Sequence, residues 1–206
     1  MLASSSTRGY VLSAVLSLLV AGCIGGPTRP STFYVLSAEE APPVAGRTSP
    51  APPLSIGLGP IDLPELLDRP QIVTRPDPNR IDLAEYDRWG GDLSGDLSRV
   101  LAQNLMDRLN TDAVLLHPWS SRRELDFEIT IRFFRFDGVL DRAAELEGVW
   151  RLVDGREGCE HAGRRFHIQE PVPGSGYAGL VTAISRAVAR LSDDMAVAVA
   201  AADVGC

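Results

Sequence analysis

Leu125-Asp126-Phe127-Glu128-Ile129-Thr130-Ile131-Arg132-Phe133-Phe134-Arg135-Phe136 is the stretch that decides the fold. Leu125, Phe127, Ile129, Ile131 and Phe133 alternate with Asp126, Glu128, Thr130 and Arg132. A period of two puts the first set on one face of a β-strand and the second on the other. After Phe133 the phase slips, because Phe134 and Phe136 carry the apolar pattern onto the other parity. One extra residue there, a β-bulge, restores the buried face; without it two aromatics point outward. The bulge is the reading adopted.

Working outward, residues 144–153 alternate again, with Leu146, Trp150 and Leu152 set against Glu145, Glu147 and Arg151. Asp154-Gly155 is a hairpin signal, and residues 164–169 read as the return strand after a long irregular loop. Upstream, residues 32–37, 54–61, 71–75, 80–86 and 113–116 are β-branched or aromatic runs bounded by Pro and Gly, which predict further strands. Residues 39–53 hold five prolines and predict a loop. Two helices stand out. Over residues 93–109, Leu93, Leu97, Val100, Leu101 and Leu105 form one stripe, with Asp92 as N-cap and Asn110 as stop. Over residues 176–202, Tyr177, Val181, Ile184, Val188, Leu191, Met195 and Ala198 step alternately by four and three. That seam predicts a helix packed on a sheet, with pairing to another subunit as the sharper alternative. The expected fold is α+β: a single domain with a mostly antiparallel or mixed β-sheet and two main helices packed on it.

The chain has 206 residues and a net charge of −7, which argues against a nucleic-acid partner. All 20 basic residues are Arg, so lysine chemistry is excluded. Ser175 lies in Pro173-Gly174-Ser175-Gly176 and Ser94 in Asp92-Leu93-Ser94-Gly95, neither of which is a nucleophile elbow. Gly57-Leu58-Gly59 lacks the third glycine of a dinucleotide loop. His117, His161 and His167 have no metal-binding spacing, and there is no P-loop. The expectation is a protein that is not an enzyme, with no catalytic residues, no metal and no cofactor.

The N-terminus reads as an address. Arg8 precedes an apolar run over residues 11–21, about half the length a bilayer span needs. Leu19-Val20-Ala21-Gly22-Cys23 resembles the lipobox of bacterial lipoproteins. The resemblance implies a diacylglycerol thioether on Cys23, cleavage before it and acylation of the new amine, palmitate being a usual chain. Such chains anchor stably, at about 0.8 kcal/mol per buried methylene. Residue 24 is Ile rather than the Asp that resembles an inner-membrane retention signal, so the expected location is the periplasmic face of a Gram-negative outer membrane. The expected organisation is a lipoprotein signal peptide at 1–22, a lipidated tether at 23–31 and a periplasmic domain at 32–206. Removing residues 1–22 takes away Arg8, so residues 23–206 carry −8. Acyl chains rather than surface charge would hold such a domain to an anionic membrane. With Cys23 lipidated, Cys159 and Cys206 remain in an oxidising compartment and form a candidate disulfide.

Three segments carry more character than a core requires: residues 56–75 with Pro64-Glu65-Leu66-Leu67-Asp68-Arg69-Pro70-Gln71-Ile72-Val73-Thr74-Arg75, then Arg88-Trp89-Gly90-Gly91-Asp92-Leu93, then His117-Pro118-Trp119. With Phe33-Tyr34-Val35-Leu36 they resemble the ABC-type transport auxiliary lipoproteins, the PqiC/YmbA-like family. The resemblance runs in order from about residue 32 to 202. It implies a non-catalytic accessory of MCE-type lipid-transport systems, docked to an MCE-family periplasmic protein and its inner-membrane ABC transporter or permease. A homo-oligomeric ring is compatible with it. Cys159 and Cys206 depart from the family pattern. On this reading Asp68, Arg69, Gln71 and Arg75 are candidate partner contacts; the alternative pairs Arg69 and Arg75 with Asp62 or Asp68 to pin a Pro-rich loop. Trp89 and Trp119 read as core anchors. An envelope-assembly or structural lipoprotein is the competing function, and a tethered periplasmic hydrolase the third.

Overall fold

The computed structural model describes residues 29–44, 54–121 and 124–206. Cys23, the address over residues 1–22 and most of the tether lie outside the described residues. Residues Ser31–Cys206 form one unit. In chain order it contains β1 (Thr32–Tyr34), β2 (Ile56–Asp62), β3 (Gln71–Asp77), β4 (Arg80–Trp89), α1 (Leu93–Leu109), β5 (Val114–Leu116), β6 (Phe127–Val139), β7 (Ala143–Asp154), β8 (Glu160–Pro171) and α2 (Gly176–Ala201). The fold is α+β, as expected, but the strands divide between two sheets. One has the order β1-β4-β3; the other has the order β5-β2-β6-β7-β8. β2 runs parallel to both β5 and β6, whereas β6, β7 and β8 form an antiparallel meander.

The alternation over residues 125–133 behaves as period two requires. Phe127, Ile129, Ile131 and Phe133 are all buried. The register with β7 shifts between Phe133 and Arg135. Phe134 is the extra residue and is 51% exposed, and Phe136 returns to the core. Phe133 then meets Phe136 and Phe166 edge-to-face, with ring centroids 5.4 and 5.5 Å apart. Gly148 lies opposite Phe133 because the Arg132 carbonyl and the Phe166 ring occupy the space a Cβ would need.

The caps of α1 follow the sequence reading. The Asp92 carboxylate accepts from the Gly95 N–H at 2.6 Å. Asn110 takes the left-handed conformation (φ 48°) that ends a helix, and its N–H donates to the Met106 carbonyl. Ser175 precedes α2 without a side-chain cap. The Gly176 N–H instead donates to Asp141 in the β6–β7 turn at 2.6 Å, so a residue 35 positions away serves the helix N-terminus. α1 packs over β2 and β5, α2 over β6, β7 and β8, and the two helices meet. Val181, Ile184, Val188, Leu191, Met195 and Ala198 are buried, and Tyr177 is half-buried. The seam of α2 is therefore spent on its own domain. Each of its Val, Ile, Leu and Met side chains contributes about 1.5–3 kcal/mol by leaving water. Trp89 and Trp150 are core residues, and Trp119 is half-buried.

β8 begins earlier than residue 164. The irregular loop expected there is a tight turn organised by Asp154, whose Oδ1 accepts from the N–H groups of Arg156 (2.8 Å) and Glu157 (2.6 Å). No described helix is long and apolar enough to cross a membrane.

Candidate functional site

The segment singled out from sequence starts with a single 3-10 turn at Glu65–Leu67. Leu67 is buried and anchors it, while Asp68 is exposed. Asp68 lines an acidic groove of about 380 Å³ together with Asp62 and Asp92 at the start of α1. Arg69 is half-buried, and its buried Nε has no hydrogen-bond partner among the described residues. The Pro70 carbonyl accepts from the Trp89 N–H at 2.7 Å, which fixes the entry to β3. Gln71 is half-buried opposite Arg88.

Arg75 is elsewhere. It lies four positions along the strand from Gln71, roughly 13 Å. Its Nε donates to Oδ2 of Asp137 on β6 at 2.8 Å. Asp137 is 1% exposed, and its other oxygen accepts from Arg135 Nε at 2.7 Å. Arg135 also pairs with Glu145 on β7, which Gln169 of β8 approaches at 3.5 Å. The structure thus brings Asp68, Arg69 and Gln71 to one corner and commits Arg75 to a clamp between the two sheets. Neither Asp62 nor Asp68 is the partner of Arg75; Asp62 pairs with Arg132 at 3.2 Å.

The clamp lies on the open face of the five-stranded sheet, away from the helices. Register places Arg132, Val149 and Arg165 in one row and Arg135, Glu147 and His167 in the next. Glu145, Glu147 and His167 each offer one ligand atom, all within 4.8 Å of one another. The Arg135 guanidinium already holds Glu145, so a cation would have to displace a resident positive charge. His161 stacks edge-on to Phe127, and His117 edge-on to Trp119.

The sequence offers Cys159 and Cys206 as a candidate disulfide, but not the polar centre built around it. Cys159 and Cys206 are joined by a disulfide, with Cα atoms 6.2 Å apart. Around it, Asp154 Oδ2 accepts from the Gly205 N–H at 2.8 Å, and Glu157 accepts from the Cys206 N–H at 3.0 Å. Asp154 is buried, and these donors hold its carboxyl below the ordinary carboxylate range, the Glu157 N–H contributing most. The available signal was Asp154 at a turn, where Asp side chains commonly accept from backbone two or three residues on. Its further link to residue 205 has no local trace.

These features position and clamp; they do not bring a nucleophile against a base. A family model of ABC-type transport auxiliary lipoprotein components matches residues 34–196. The chain belongs to that family. Its members are lipoproteins that assist ABC-type transport. For this ABC-type transport auxiliary lipoprotein, the match runs from the last residue of β1 through most of α2 and stops short of Cys206. No curated protein matches the chain. A crystal structure of an uncharacterized protein superposes with a TM-score of 0.67 at 18% identity, covering 83% of this chain and 99% of that one. A DUF330 protein of Xanthomonas campestris superposes with a TM-score of 0.66 at 18% identity, covering 82% and 96%. At that identity the likeness is one of fold.

Proposed function

We propose that this chain is an outer-membrane-anchored, periplasmic, non-catalytic docking component of an MCE/ABC-type intermembrane lipid-transport system. The family match over residues 34–196 carries the reading. The lipobox-like residues 19–23 support an anchor on Cys23, and Ile24 supports the outer membrane. The −8 balance of residues 23–206 leaves the anchoring to lipid and the domain surface to a protein. Residues 23–31 span at most about 30 Å when extended, so the domain works within that distance of the membrane. Chemistry and ATP hydrolysis belong to the partner complex.

Affinity capture of the full chain from detergent-solubilised envelope tests this. Recovery of an MCE-family protein with its permease or ATPase supports the role. Recovery of barrel-assembly or lipopolysaccharide-insertion components instead would replace it with an assembly function.

A further inference from the structure

β8 is the last strand of the five-stranded sheet, and no described strand pairs with its outer side. The opposite edge, β5, is three residues long, as is β1 in the other sheet. β3 carries Pro76 and packs against β6. β8 has twelve residues, and from Ala162 to Pro171 its register with β7 runs without a shift. No bulge turns this edge away, and no proline interrupts it before Pro171. A long, regular edge is a template for another strand unless its side chains protect it. The Gln169 carbonyl is taken by Arg190 at 3.1 Å, so the open ladder covers about residues 163–168.

Exposed side chains on that stretch are Arg164, Arg165 and His167. Arg164 is held by Asp194 of α2 at 2.7 Å. Arg165 has no ion pair among the described residues, and it stands on the open face in the same row as Arg132. This pattern discriminates between occupants. A second copy pairing antiparallel here would bring arginines of both chains to within one or two positions of each other, which like charges oppose. The chain's own segments outside the structure fit no better. Residues 23–28 and 45–53 contain no Asp or Glu, and the latter has three prolines that cannot donate to a ladder.

The geometry points to an extended acidic segment of a partner protein, which adds to β8 as a sixth strand. Its backbone completes the ladder of residues 163–168. A carboxylate of that segment stands beside Arg165, while His167 already faces Glu145 and Glu147 at 4.0 and 3.7 Å. This rests on the docking role proposed above and names the surface and the chemistry of what docks.

The probe is a synthetic peptide of about ten residues alternating Glu with Val and Thr, with a Lys-for-Glu version as control. It is added to the full chain in detergent and followed by fluorescence anisotropy and amide hydrogen exchange. Slowed exchange at residues 163–168 is expected with the acidic peptide and not with the basic one. Arg165→Glu should weaken binding about tenfold and Arg165→Ala about threefold, with melting unchanged because the side chain is exposed. The inference is overturned if β8 amides are not protected by the peptide. It is equally overturned if they are protected by anionic phospholipid vesicles alone, or by raising the protein concentration alone. Envelope capture separates the two levels. If Arg165→Glu recovers the transport partner as well as the unmodified chain does, the edge inference fails and the docking role stands. If the unmodified chain recovers none, the role itself fails.

Discussion

Replacing Asp137 by Asn tests the clamp that joins the two sheets. The carboxylate accepts from Arg75 on one oxygen (2.8 Å) and from Arg135 on the other (2.7 Å). A charge-assisted hydrogen bond contributes about 1.5–3 kcal/mol, and Asn keeps the shape while losing the charge. Its NH2 group must face one of the guanidinium groups. The loss is discounted because Arg75 and Arg135 side chains are 26% and 21% exposed and regain some water. Roughly half of the gross value remains, about 2 kcal/mol for the pair of bonds. For a domain of this size that lowers Tm by about 6 °C. Arg75→Gln should cost less, about 1.5 kcal/mol, because Arg135 still neutralises Asp137. Adding Arg75→Gln to Asp137→Asn should then change little, leaving a coupling of about 1 kcal/mol in a double-mutant cycle read by urea or thermal melts. If Asp137→Asn melts within about 0.5 kcal/mol of the unmodified chain, or the two changes simply add, Arg75 is not a clamp and returns to being a surface residue.

Cys206→Ser should lower stability by up to about 4 kcal/mol, from the unfolded-chain entropy of a loop closed over 47 residues; reductant should reproduce the loss in the unmodified chain and leave the variant's melt unchanged. Asp154 is held below its ordinary value of 3.8 in the fold, so its stabilisation is fully present above about pH 4 and disappears as pH falls through the folded value. Asp154→Asn should therefore flatten the acid limb of stability measured from pH 6 to pH 2, and an unchanged limb would show that other carboxylates set it. Gly148→Val forces a side chain against the Arg132 carbonyl and the Phe166 ring, and should cost about 1–3 kcal/mol in a denaturant melt.

What could be read from the chain was local. Alternation through Phe133, the slip at Phe134 and the caps Asp92 and Asn110 each act over a few residues, and each is where the pattern put it. The division into two sheets left no such mark, because β2 lies between β5 and β6 through pairings that span more than 50 residues. The early start of β8 is hidden for a related reason: a polar Gly-rich stretch looks loose, yet Asp154 supplies the hydrogen bonds that tighten it. In the candidate contact segment, Asp68, Arg69 and Gln71 lie together between the 3-10 turn and the start of β3. Arg75 is their neighbour in sequence, but its charge is answered by Asp137, 62 residues away. Ion-pair partners across a fold have no periodicity to betray them.

On the proposed function, a lipid on Cys23 holds this domain where it meets a lipid-transport partner. In-cell crosslinking of the full chain, compared with Cys23→Ala and followed by mass spectrometry of the adducts, separates that role from its alternatives. An MCE-family adduct is expected in the outer-membrane fraction from the unmodified chain, and its loss with accumulation of unprocessed or soluble protein is expected for Cys23→Ala. Normal outer-membrane fractionation of Cys23→Ala, or no such adduct from the unmodified chain, would contradict it.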